Sequence, residues 1–272
     1  MPEQTSLTRP CLALLTDFGL KEPYVGQLKA VVCRECPNPL IIDISHEVPP
    51  FNIRMGAYFL AASAPRFPAG TVFMAIVDPG VGSSREIIIL QTASQIFIGP
   101  NNALLSMVER DEKTTLWQIA QPEKDDSCQL FAGRDIIAPV AAKLLNGKKP
   151  EEIASPMLIE KLRTENWAQA QWAKGFIDAE ALHVDRFGNV IINMATKSGK
   201  LLEASGTMLC RFKDKEYPLF RASYYAQIPM QTLALIPGSQ GFMEIAMNRS
   251  SAARFMGLDF ENEKDLKISI LC

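Results

Sequence analysis

Apolar runs too short for helices alternate with segments of helical spacing through the first half of the chain. Residues 12–15 read as a strand that runs into Thr16, Asp17, Phe18 and Gly19. A helix is predicted over 24–34, halted before Pro37, and a second strand over 40–44. Helical spacing returns over 52–62 and is broken by Pro65 and Pro68, since proline removes a backbone donor and crowds the preceding turn. The unbroken apolar run 71–77 is the pattern of a strand covered on both faces. Further strands are expected at 86–90, 95–98 and 115–119, with a short helix opening at Pro100, Asn101 and Asn102. Between Arg134 and Leu145, Ile136, Ile137, Val140, Ala141, Leu144 and Leu145 recur at helical spacing, and Gly147 sits just past the end. This alternation predicts an α/β domain with a mostly parallel sheet covered by helices.

The texture changes near residue 147. Gly147, Lys148, Lys149, Pro150 and the polar stretch to 174, with Trp167 and Trp172, read as a connecting arm. Beyond it, short strands at 181–184, 190–194, 207–212, 233–236 and 243–246 lie between turns. They predict an all-β second domain, sandwich or barrel. The expected division is 8–165 for the α/β domain and 166–272 for the β domain, joined by a linker over about 147–174.

A chain of 272 residues has room for one large or two ordinary cores. Its composition is ordinary, 47% apolar and 21% charged with a net charge of −2, and no Lys/Arg cluster marks a nucleic-acid face. No apolar run reaches bilayer length, and the first ten residues have no apolar stretch, so neither a membrane span nor a secretory signal is expected. Six cysteines (Cys11, Cys33, Cys36, Cys128, Cys210 and Cys272) are scattered along a chain too large to need staples, which predicts a reduced, cytoplasmic protein. Cys33 and Cys36 have C-x-x-C spacing but sit late in a helical pattern with no second pair, so they read as ordinary thiols.

Candidate chemistry gathers at three acidic loops. Asp78, Pro79, Gly80, Val81 and Gly82, with Arg85 just beyond, close the apolar run 71–77. A carboxylate at the carboxyl end of a core strand, with glycines that admit a ligand to the backbone, sits where open α/β sheets place their sites. Asp-Pro-Gly is equally the composition of a plain turn. Asp17 and Gly19 repeat the arrangement after the first strand, where Asp17 alternatively caps the next helix. If the two strands are neighbours, Asp17 and Asp78 converge on one crevice. The third loop, Asp185 to Asn189, also fits a hairpin turn.

Common catalytic signatures are missing. Neither G-x-G-x-x-G nor the phosphate-loop pattern occurs, and Gly238, Ser239, Gln240 and Gly241 lack nucleophile-elbow spacing. With only His46 and His183, a histidine metal centre or a histidine triad is not expected, and His46 reads first as a structural hydrogen-bonder. Asp17 and Asp78 form the one carboxylate pair suited to Mg²⁺, as in a phosphohydrolase, though nothing marks a phosphate site.

The ordered set Thr16–Gly19, Asp43–His46, Asp78–Gly82, Gly99–Asn102, Gly133–Asp135 with Ala138 and Pro139, Asp185–Asn189, and Gly238–Ser239 with Glu244–Ala246 resembles the S-adenosylmethionine hydroxide adenosyltransferase family, relatives of the fluorinating and chlorinating enzymes that use the same substrate. The resemblance runs from about residue 12 to 258. It implies a C-terminal β-barrel and a homotrimer with each site between one subunit's first domain and its neighbour's second. The substrate it implies is S-adenosylmethionine, attacked in line at the ribose 5′ carbon by water-derived oxygen, with no metal, no cofactor and no covalent intermediate.

The same resemblance assigns roles. Asp17 grips the ribose hydroxyls, with Phe18 beside it on the substrate. Asp78 and Arg85 orient and activate water. Asp185 and Ser239 hold the methionine ammonium and carboxylate, and Asn189 the adenine edge or the amino acid. Three positions depart from the pattern. Ala132 stands where hydroxide-transferring members carry a His, Lys143 where relatives often have another, and Gln240 where halogenating relatives have an Arg. A methyl group neither orients water nor moves a proton, and loss of a positioned base costs roughly 10²–10⁴ in rate. A non-catalytic binder of S-adenosylmethionine or adenosine is therefore the alternative expectation. Asp78 argues against halide transfer, because a carboxylate beside the attack site repels the halide.

Overall fold

Fifteen strands and five α-helices account for most of the computed structural model, which describes residues 9–80, 85–121, 131–173, 175–197, 208–260, 263 and 266–271. In chain order the strands are β1 (Cys11–Thr16), β2 (Leu40–Ser45), β3 (Val72–Ile76), β4 (Ile87–Gln91), β5 (Ile96–Pro100), β6 (Thr115–Ile119), β7 (Ser155–Met157), β8 (Gln171–Ala173), β9 (Phe176–Val184), β10 (Val190–Ala195), β11 (Met208–Phe212), β12 (Lys215–Arg221), β13 (Leu233–Pro237), β14 (Phe242–Met247) and β15 (Lys267–Leu271). The helices are α1 (Tyr24–Glu35), α2 (Ile53–Ser63), α3 (Ala138–Leu145), α4 (Pro150–Ile153) and α5 (Ala252–Met256). Val81, Gly82, Cys128, Thr207 and Cys272, part of the sequence reading above, lie outside the described residues.

The chain forms two compact units that meet between Glu165 and Asn166. In the first, the sheet order is β2-β1-β3-β5-β4-β6-β7. β1 is parallel to both β2 and β3, and β3 to β5, whereas β4, β6 and β7 extend the sheet antiparallel. Every residue of β1 and β3 is buried, as their unbroken apolar runs require. Alternate residues serve opposite faces. Leu12, Leu14, Met74 and Ile76 pack with Val25, Leu28 and Val32 of α1 and Val140, Ala141 and Leu144 of α3. Phe73 points the other way and stacks on Phe97 at 4.7 Å. α2 covers that second face, where Gly56 lies so close to Leu104 and Val77 that a methyl group there would press on both. The chain thus leaves β1 over one face and returns to β3 over the other. The crevice beyond the carboxyl ends of β1 and β3 is the switch point where such sheets bind ligands.

Two local expectations are corrected. Asn101 and Asn102 open a turn rather than a helix. Asn102 donates from Nδ2 to the Val77 carbonyl at 2.8 Å and accepts from the Leu104 N–H at 3.1 Å, and Ala103 takes a left-handed φ of 76°. The amide therefore ties the end of β3 to the turn that follows β5. The expected helix from Arg134 begins as a π turn, Gly133–Ile137, and only α3 is α-helical. Pro139 has no N–H to close the last α-type bond, and the wide turn that forms instead carries the Ala138 N–H to the Gly133 carbonyl.

Among its described residues the second unit is all-β apart from α5 and short 3₁₀ turns. Its strands run β10-β14-β13-β12-β11-β15-β9, and pairing of β9 with β10 closes a seven-stranded barrel, with β8 attached outside on β9. All pairs are antiparallel except β12 with β13. Ile177, Ile192, Phe212, Leu235, Ile245 and Ile268 are among the residues that fill the interior. Burial there pushes the Cys210 thiol up to about 12. On β14 the alternation puts Met243, Ile245 and Met247 inward, while Ala246 joins Ala222, Ile228, Ala234 and Ile236 in a small cluster on the outside.

Candidate active site

Thr16 on β1 pairs with Ile76 on β3, so the chain leaves the two strands side by side at Asp17 and Asp78. Asp17 does not cap α1, which has no side-chain cap. Its Oδ2 accepts the Phe51 N–H at 2.8 Å. Burial holds the Asp17 carboxyl above the usual carboxylate value; hydrogen bonds pull it down and the negative charge of Asp78 adds to the rise. The register of β1 and β3 brings the two carboxylates into one neighbourhood. Phe51 itself is 65% exposed and sits at φ 68°, a left-handed conformation that costs a non-glycine residue roughly 1–2 kcal/mol.

Asp78 does two jobs. Its Oδ1 accepts the Gly80 N–H at 2.8 Å, which makes the turn, and also pairs with Nη1 of Arg85. Both side chains are largely buried. Gly80 leaves the space that the Arg85 guanidinium occupies, and a Cβ there would push the guanidinium aside. The Arg85 carbonyl in turn accepts from the Gln121 side chain at 2.7 Å.

Phe18 joins a three-ring cluster with Tyr24 at 5.8 Å and Phe131 at 5.5 Å between centroids. Ala132 follows Phe131 and leads into the π turn. Gly133 packs closely on Ile76, Phe131 and Leu28, where a methyl group would fit only if these side chains gave way slightly, so the turn is seated directly on β3. Lys143 is exposed and belongs to the surface.

In the second unit, Asp185 makes the hairpin turn between β9 and β10 and does more besides. Its Oδ1 accepts from the N–H groups of Phe187 and Asn189, both at 2.9 Å, and its Oδ2 accepts from Asn189 Nδ2 at 2.8 Å. Asn189 Nδ2 also donates to the Tyr225 hydroxyl at 3.0 Å, and that hydroxyl donates to Glu244 Oε2 at 2.6 Å. Glu244 lies over Gly238, where any side chain would displace its carboxylate. Ser239 follows in the same turn. Burial first, and then the charge of Asp185, raises the Glu244 carboxyl, while the Tyr225 bond opposes it. Burial and the neighbouring Glu244 and Asp185 push the Tyr225 hydroxyl well above its ordinary value.

The sequence profile of the SAM hydroxide adenosyltransferase N-terminal domain matches residues 12–154, and that of the C-terminal domain residues 179–264. The chain belongs to the SAM hydroxide adenosyltransferase family. The (R)-S-adenosyl-L-methionine hydrolase of Thermus thermophilus is 31% identical over 90% of this chain and 94% of its own length. The protein of the same name from Salinispora tropica is 33% identical over 92% and 94%. The fluorinase of Nocardia brasiliensis is 25% identical over 92% and 94%. A solved structure of a conserved protein from Thermotoga maritima superposes with a TM-score of 0.81 at 33% identity, covering 96% of this chain and all of that one (100%).

Within this family member, Asp17, Phe18, Asp78 and Arg85 gather at the switch point of the first unit, and Asp185, Asn189 and the Gly238–Ser239 turn gather around Glu244 in the second. Phe51, Tyr225 and Glu244 escaped the sequence reading as individuals. Glu244 alone left a signal, a charge inside the apolar run 242–247. Asp17 and Asp78 fit a divalent cation poorly, because Arg85 already supplies the countercharge to Asp78. Among the described residues no group of three or more His, Cys, Asp or Glu could hold a metal, and no helix is long and apolar enough to cross a membrane.

Proposed function

We propose that this protein cleaves S-adenosyl-L-methionine by in-line attack of water or hydroxide on the ribose 5′ carbon, giving adenosine and L-methionine. The observation that carries the reading is the placement of Asp17 beside an Asp78–Arg85 pair at the carboxyl ends of adjacent parallel strands. A C–O bond forms at the 5′ carbon as the C–S bond breaks, and the sulfonium leaves as a neutral thioether. Attack neutralises charge, so fixing donor and nucleophile in line contributes more than acid–base strength. Asp78 steers and takes the water proton, and Arg85 stabilises the developing hydroxide. Asp17 keeps lone pairs beyond its bond to Phe51, and these accept the ribose hydroxyls with Phe18 alongside. Asp185, Asn189 and Ser239 serve the rest of the substrate from the second unit.

The curated relatives' names support the (R) epimer at sulfur as the substrate. No cofactor enters this chemistry. The family resemblance supports a homotrimer in the cytoplasm with sites shared between subunits, and light scattering tests the trimer. Turnover in heavy-oxygen water tests the mechanism: label appears in the 5′ hydroxyl of adenosine, and unlabelled adenosine rejects it. The same incubation with chloride should yield no 5′-chloro-5′-deoxyadenosine.

Ala132 favours a second reading, a protein that binds S-adenosylmethionine or adenosine without turning it over. Stoichiometric binding by calorimetry, with substrate intact after hours, would decide for it.

A further inference from the structure

Asn101 and Asn102 are buried polar residues, 8% and 5% exposed, that the reaction above does not use. They follow β5, which lies in the sheet between β3, the strand that delivers Asp78, and β4, the strand entered just after Arg85. On one side, the backbone ladder between β3 and β5 ends at Met74 and Ile98. Past that point Asn102 Nδ2 donates to the carbonyl of Val77, the residue before Asp78, at 2.8 Å. On the other side, the ladder between β4 and β5 reaches Ile87 and Pro100. The Asn101 N–H continues it by donating to the carbonyl of Glu86, the residue after Arg85, at 2.9 Å. Two adjacent residues thus hold both flanks of an ion pair whose members are 7 positions apart.

The turn itself is fastened. Asn101 Nδ2 donates to the Lys161 carbonyl at 3.1 Å, and its Oδ1 accepts the Arg163 N–H at 2.8 Å. Asn102 Oδ1 accepts the Leu104 N–H at 3.1 Å. Each side chain therefore donates to one backbone group and accepts from another, which an ionised carboxylate, an acceptor only, cannot do. Chain reversal alone requires neither the bond to Val77 nor the one to Glu86. The Val77 carbonyl and the Asp78 Cα belong to one planar peptide unit, so slack in the Asn102 bond moves the Asp78 carboxylate directly.

We propose that Asn102 is a positioning residue for the hydrolytic step: by holding the Val77 carbonyl it sets Asp78 against Arg85 in the arrangement that meets the attacking water. This rests on the reading of Asp78 and Arg85 as the water-activating pair and deepens it. A reacting group displaced by about 1 Å costs on the order of 10² in rate. Substrate affinity draws on other residues, so the cost of losing the Asn102 donor falls on turnover.

Single-turnover kinetics of the full-length protein with S-adenosyl-L-methionine test this, with affinity measured by calorimetry and stability by urea unfolding. Asn102→Asp keeps the shape and the acceptor but loses the donor. It should slow turnover by about 10- to 100-fold while affinity stays within about threefold. In an Asp78→Asn background the same change should cost less than about threefold, because its route through Asp78 is already gone. Asn193→Asp is the control. In the second unit, Asn193 likewise donates to one carbonyl, that of Trp167 at 3.1 Å, and accepts one N–H, that of Glu180 at 2.8 Å. That variant should lose stability as Asn102→Asp does, yet turn over within about twofold of the parent. Asn102→Ser buries no charge and still offers an acceptor to the Leu104 N–H, so it keeps the test open if Asn102→Asp fails to fold. A folded Asn102 variant with the parent's rate overturns the proposal. So does a loss that carries over in full into Asp78→Asn, or one that appears equally in Asn193→Asp. If Asp78→Asn turns over as fast as the parent, or the parent leaves S-adenosylmethionine intact, the water-activating reading itself fails and takes this one with it.

Discussion

His46 Nδ1 lies 2.8 Å from Thr16 Oγ1, and both residues are essentially sealed from solvent. From there His46 braces the Asp17 loop at two points. Thr16 Oγ1 accepts the Phe18 N–H at 3.3 Å, and the His46 carbonyl accepts the Gly19 N–H at 2.8 Å. On the far side of the ring, Nε2 sits 3.1 Å from Asp43 Oδ1 at an angle too poor for a hydrogen bond, and Lys29 holds that carboxylate at 2.6 Å. Replacing His46 with Leu orphans a buried hydroxyl and should cost about 1–3 kcal/mol in urea unfolding. His46→Asn, which can still face Thr16, should recover part of that. A Leu variant as stable as the parent would show the brace to be idle.

Acid should weaken ligand binding earlier than an ordinary aspartate would allow. Burial keeps the Asp17 carboxyl high, with Asp78 adding to it, yet gripping ribose hydroxyls needs the ionised form. Adenosine affinity should therefore rise as pH climbs through a value above the usual carboxylate range, and Asp78→Asn should move that rise to lower pH. Stability runs the other way: a carboxyl raised on folding contributes most below its unfolded value and loses that contribution as pH rises through the folded one. Calorimetric titrations across the acid range check both signs. An unmoved limb in Asp78→Asn would separate the two carboxylates.

The Asp78–Arg85 pair should govern rate more than affinity. Asp78→Asn is expected to lower turnover by roughly 10²–10⁴ while S-adenosylmethionine binding remains measurable. Gly80→Ala, which touches neither charge, should act in the same direction because its methyl group would displace the guanidinium. Single-turnover kinetics with separately measured affinity distinguish this from a general loss of binding.

Ala132 offers a gain-of-function test. It is partly buried beside Phe131, at the entrance to the π turn that rests on β3. Ala132→His should raise turnover by up to about 10² without tightening substrate binding, if a positioned imidazole supplies the missing proton handling. No change in rate would indicate that Asp78 and Arg85 suffice.

Much of this was legible from particular residues. The run 71–77 announced a buried strand, and the carboxylates ending it and β1 announced the crevice, because parallel strands covered on both faces have no polar positions to spare. β12 went unseen because it is mostly exposed and carries Lys215, Glu216, Pro218 and Arg221 where a strand signal needs apolar alternation. The Asn101–Asn102 segment read as a helix opening because an Asn amide that ties strand ends looks locally like a cap. The bond between Tyr225 and Glu244 joins residues 19 apart on different elements, a separation that leaves no local pattern in the sequence.

The five-residue loop of hydrogen bonding at Gly133–Ile137 has an evolutionary corollary. A wide turn holds one residue more than the ordinary helical one it replaces, so shortening the segment by a single codon would leave α3 intact in its groove. Upstream, Ala132 and Phe131 would keep their facing too, because the surplus residue swells this one turn instead of passing along the helix as a rotation of about a quarter of a turn. The segment is thus a place where chain length can change by one without turning either flank.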